Sequence, residues 1–143
     1  MRNFRGLTKE GKWVYGTAVS DEIFSAAPDP NWSWIFDGPK QRVGGLGWVE
    51  VLSKTVGQSI DAKDKNDKEM YFDDMVIWNK KKYVIVWNKT CLGTYLEHLD
   101  SYLARQKDPK LGKFIVNLMY GRAVYLEVIG TVHDKLLEET SNE

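Results

Sequence analysis

Residues able to do chemistry are few in this chain, and their spacing limits what they can do. The soft metal ligands are Cys91, His98 and His133, and no pair of them has the spacing of a zinc finger or ribbon. Asp64, Asn66, Asp67 and Glu69 supply oxygens in the manner of a calcium loop. The pattern fails where Glu69 replaces the loop glycine, Phe72 takes the ninth position and Met75 stands in place of the bidentate glutamate. Asp73 and Asp74 are adjacent, so in a strand they point to opposite faces and cannot share a proton. Gly45-Leu46-Gly47-Trp48-Val49-Glu50 imitates a dinucleotide fingerprint, but Glu50 occupies the third glycine position and β-branched residues replace the helix that should follow. It reads instead as a bent, glycine-hinged strand. Cys91, between Trp87 and Leu92, reads as a buried apolar thiol with no visible partner for nucleophilic work, and a single cysteine forbids an internal disulfide. The residues point to no enzyme, no cofactor and no metal.

Two sets remain for binding. Lys80, Lys81 and Lys82 form a basic run that reads either as a nucleic-acid finger or as a solvated turn that blocks edge pairing. Trp32, Trp34 and Phe36, with Pro30 and Ile35, sit in a proline-punctuated stretch. In an extended segment the three rings point the same way. They either roof the protein's own core or dock on another subunit, and the composition shift at Ser20 tilts the reading toward docking in a homo-oligomer. Six Trp and seven Tyr in the chain fit both a ring-filled core and an interface.

The elements that must position these residues are mostly strands. The 143 residues suit one domain, or one small domain with an arm. Twenty basic and twenty acidic residues cancel, so no strong field draws in a polyanion or anionic lipid. No apolar h-region opens the chain and no run nears the roughly 18 apolar residues of a membrane span, which suggests a cytoplasmic protein without a membrane partner. Trp13, Tyr15 and Thr17 alternate with Val14 and Gly16, a hairpin strand with Gly11 in its turn. Ser20–Lys40, with Pro28, Pro30 and Pro39, reads as irregular. Met75–Trp78 and Tyr83–Trp87 flank Asn79–Lys82 as the best hairpin in the chain. Tyr83–Trp87 is apolar without a gap, so burial of both faces is expected, and Trp87→Ala is expected to be severely destabilising. Leu96, Leu99, Tyr102 and Leu103 share a helical face, which predicts a helix over Leu96–Lys107 ended by Pro109 and Gly112. Lys113–Tyr120 and Ala123–Gly130 read as a second hairpin across Gly121-Arg122, and the tail His133–Glu143 should fray.

Motifs spread along nearly the whole chain carry a resemblance. Phe4-Arg5-Gly6, Gly11-Lys12-Trp13-Val14-Tyr15-Gly16, Thr55-Val56-Gly57-Gln58, Asp64-Lys65-Asn66-Asp67-Lys68-Glu69-Met70-Tyr71 and Glu127-Val128-Ile129-Gly130-Thr131-Val132-His133-Asp134 resemble the successive motifs of the YopX family of phage and prophage proteins. The family usually has Gly where Asp67 stands and Glu-Gly-Asp where Phe72-Asp73-Asp74 stands. Ala26–Gly38 and Leu96–Lys107 do not match its pattern. The resemblance implies a mainly β protein whose C-terminal part, residues 55–143, is a small SH3-like, partly open barrel. Residues 1–54 would hold the N-terminal β-hairpin and the aromatic loop. It implies a prophage product in a bacterial cytoplasm, and no mechanism, since the family is uncharacterised. The leading expectation is a non-enzymatic, self-associating binding module. The alternative is a small β barrel that binds single-stranded nucleic acid.

Overall fold

The computed structural model describes residues 4–20, 31–37, 47–88, 93–111, 115–117 and 122–134. Cys91, Pro28, Pro30, Pro39, Gly45-Leu46, Lys113, Gly121 and the tail beyond Asp134 lie outside the described residues. The chain is mainly β and divides into two compact units between Ser59 and Ile60. The expected boundary after Lys54 falls slightly earlier in sequence.

The first unit carries strands β1 (Phe4–Leu7), β2 (Trp13–Gly16), β3 (Val19–Ser20), β4 (Trp32–Phe36), β5 (Trp48–Leu52) and the start of β6 (Gly57–Lys63). β1 and β2 form the expected hairpin, with Gly11 at φ 85° in the turn. β3, β4 and β5 form a separate antiparallel sheet with β4 at its centre. Ser20–Lys40 is therefore not irregular throughout, because Trp32–Phe36 is a central strand. Its β-branched and aromatic composition suits a strand, and the prolines stand outside those five residues. Val14, Ile35 and Val51 are the buried centre, flanked by Val19, Val49 and Val56. A Cβ on Gly6 would meet Val51 Cγ2 at 2.7 Å, and one on Gly16 would meet the Phe36 carbonyl at 2.1 Å. Only glycine allows these close approaches. Thr55 staples the unit: its Oγ1 accepts from Leu7 N (2.8 Å) and donates to the Leu52 carbonyl (2.7 Å).

The second unit continues β6 into β7 (Glu69–Tyr71), β8 (Asp74–Trp78), β9 (Lys81–Asn88), β10 (Gly93–His98), helix α1 (Leu99–Lys107), β11 (Ile115–Asn117) and β12 (Glu127–Thr131). Five strands make an antiparallel sheet in the order β11-β10-β9-β8-β12. Its core holds Met70, Val76, Tyr83, Ile85, Leu96 and Leu126. The β8–β9 hairpin has the expected partners, but its loop is only Asn79-Lys80, because Trp78 pairs with Lys81. Three other expectations are corrected. Trp87 is 51% exposed and packs edge-on against Phe72 at the end of β9, so the two-faced burial covers Tyr83–Ile85 and not the whole run. The helix begins at Leu99; Leu96 belongs to β10, where it pairs with Ile85 and Val116. β11 and β12 do not form one hairpin. They pair with β10 and β8 at opposite edges of the sheet, and among the described residues the sheet does not close into a barrel.

Candidate functional site

Strand alternation sets the first unit's aromatic face. In β4, Ser33 and Ile35 turn to one side, and Trp32, Trp34 and Phe36 to the other. The register places Leu52, Glu50 and Trp48 of β5 opposite those three rings. The expected common direction of Trp32, Trp34 and Phe36 is therefore present, on a sheet rather than a loop. Phe36 and Trp48 have ring centroids 5.3 Å apart. Trp34 is only 9% exposed, whereas Trp32, Phe36, Trp48 and Leu52 are half-buried. Trp34 is thus taken up within the chain, and the other rings form the accessible rim.

The second unit gathers basic residues. Lys80 lies in the β8–β9 turn, and Lys81 and Lys82 open β9. Pairing of β9 with β10 brings His98 opposite Tyr83, with ring centroids 4.6 Å apart, and Trp78 lies 6.0 Å from Tyr83 on the other side. Lys80, Lys81, Lys82, His98, Leu99 and Asp100 line an open groove of about 480 Å³. The sequence marks the three lysines. It does not mark His98, because its neighbour Tyr83 is far back along the chain and is reached only through strand pairing.

Two polar nodes brace this unit. Glu97 is fully buried, yet accepts hydrogen bonds from Ser101 Oγ (2.8 Å) and Arg105 Nε (2.7 Å) and pairs with Arg105 Nη2 as well. Ser101 and Arg105 are four apart on α1, so one helix face meets one carboxylate. The Glu97 hydrogen bond raises the Arg105 pKa against the effect of burial. Burial, with Asp73 and Glu97 nearby, pushes the Tyr102 phenol up. The Asp64 carboxylate accepts from Asn66 N, Lys68 N and Val128 N, each at 2.9 Å. Burial by itself pushes Asp64 up, but those backbone donors and the Lys68 charge prevail and hold its pKa below the ordinary value. Asp64 therefore ties the β6–β7 turn to β12. Asp73 and Asp74 also part company: Asp74 is buried and accepts from Tyr71 N, while Asp73 lies 3.4 Å from His133 Nε2.

These features define an antiparallel β protein of two small units, with an aromatic sheet face on one and a basic groove on the other. Among the described residues no three His, Cys, Asp or Glu side chains are grouped to hold a metal ion, and no helix is long and apolar enough to cross a membrane. No family model and no curated protein matches the chain.

Proposed function

We propose that this protein is a non-enzymatic binding module that self-associates through the rim Trp32, Phe36 and Trp48, and that it is a bacterial cytoplasmic, prophage-type product of the YopX kind. The observation that carries self-association is the alignment of the half-buried rings Trp32, Phe36 and Trp48 on one sheet face. Large rings fixed on a rigid strand give contact area at low entropy cost. Two observations support the family reading. Asp67 (φ 64°) and Asp73 (φ 73°) both adopt left-handed backbone, and these are the positions where the family usually has Gly. An SH3-like kinship for the second unit rests on its β8-β9-β10 meander, flanked by β11 and β12.

Sedimentation of the full chain tests self-association. Wild type should run as a dimer or larger, and Trp32→Ser/Phe36→Ser should run as a folded protomer. Trp34 stays in place, since removing a buried Trp costs roughly 3–5 kcal/mol and would confound the result. A monomeric wild type ends the proposal.

A further inference from the structure

We propose that the groove between the β8–β9 turn and the start of α1 binds the phosphodiester backbone of a single-stranded nucleic acid. This does not rest on self-association and involves different residues. Three consecutive lysines line one groove, all of them exposed, and none forms an ion pair with a described residue. Lysines in a solvated turn normally scatter, but here the two-residue loop keeps them on one short arc. Strand alternation sends Lys81 toward the Trp78–Tyr83–His98 side and Lys82 toward the opposite side, and at the strand's start both contribute to the lining. Asp100 contributes a negative charge at the rim, and the lining stays net positive.

Charge alone would suit any polyanion, and the His98 ring in the lining narrows the choice. Among the described lining residues the ring is that of His98, half-buried on Tyr83; Tyr83 itself is buried, and Trp78 packs against the same core. Flat side chains next to ammonium groups are the pairing that single strands use, with bases on rings and phosphates on lysines. A duplex hides its base faces and offers only phosphates to such a surface. The groove is open rather than enclosed, which suits a chain passing through. An acidic peptide would use the lysines and leave the imidazole of His98 idle.

The test is fluorescence anisotropy of the full chain with a labelled oligodeoxythymidine twelve-mer. Three neutralised phosphates on a single strand imply a log–log salt slope of about −2, so affinity should fall about 20-fold from about 50 to about 200 mM salt. Lys81→Gln/Lys82→Gln leaves the strained turn intact and should reduce the slope to about −0.7. Lys80→Asn added to that pair should abolish binding without lowering the melting temperature. His98→Ala should weaken binding several-fold at unchanged slope, which a purely electrostatic site would not show. Binding undiminished in the double variant overturns the proposal, as does equal affinity for the duplex. Displacement by polyglutamate as effective as by unlabelled oligonucleotide, or no binding at about 50 mM salt, does the same.

Discussion

Lys80 holds φ at 67° directly after Asn79 at 52°. A two-residue type I′ hairpin needs positive φ at both central positions. Asparagine tolerates this, whereas the lysine Cβ crowds the following carbonyl at a cost of roughly 1–2 kcal/mol. Glycine removes that crowding but has more freedom to lose on folding, so Lys80→Gly is expected to stabilise by about 0.5–1 kcal/mol. The readout is the urea midpoint at constant m, and a lower midpoint refutes the strain. At Glu97 the asymmetry of burial decides. Its side chain is 0% exposed, against 17% for Arg105. Arg105→Leu strands a carboxylate with no route to water and should cost about 3 kcal/mol. Glu97→Gln leaves a guanidinium that can reach solvent and should cost less; equal losses in chemical denaturation would contradict this account. Asp64 supplies a pH signature. A folded pKa below the unfolded value contributes stability that is fully present above about pH 4 and is lost as pH falls through the folded pKa. Asp64→Asn should be less stable at neutral pH yet show a flatter acid limb in melting temperature against pH.

β9 shows how one element can serve three environments. Its first residues line the groove, Tyr83–Ile85 are buried, and Trp87 is half in water. Ile85→Ala should cost about 3–4 kcal/mol, in the range for a buried Ile truncated in a core. Trp87→Ala should cost only about 1 kcal/mol, because its main described partner is the edge contact with Phe72. Comparable losses in the two variants would show that Trp87 is held more firmly than its exposure implies. The β8–β9 hairpin was legible because two apolar, β-favouring runs flank a single polar turn. The start of α1 was not, because Leu96 and Leu99 satisfy a helical spacing while Leu96 also satisfies a strand. Pairing with Ile85 and Val116 assigns it to β10. Helix α1 then packs through Ser101 and Arg105 rather than an apolar stripe, and Leu103 is left 44% exposed.

The molecule as a whole is electrically balanced, with a sequence pI near 6.7. Little net repulsion then opposes contact between copies. Light scattering should therefore give its lowest second virial coefficient near pH 6.7, rising at pH values well to either side; a monotonic trend would exclude charge balance as the control. Within each unit, edge strands are bounded locally. In the first, β3 is only two residues long. In the second, β11 and β12 lie on opposite edges with three and five residues. Short edges limit uncontrolled strand addition, so association through a side-chain face is the more economical route.

The sequence by itself determined the strand character and the absence of finger or calcium-loop spacing. These follow from local backbone preference and from distances along the chain, which residue order contains. It also put Trp32, Trp34 and Phe36 on one side, since alternation needs no partner strand. Only the tertiary structure decided that Trp34 is buried while Trp87 is not, that Leu96 is strand, and that β11 and β12 lie apart. Only the β9–β10 register brought His98 to the three lysines, and only the meeting of α1 with β10 closed Arg105 and Ser101 on Glu97. Such contacts depend on which strand wins each neighbour, a competition among burial energies spread over the whole chain and carried by no single motif.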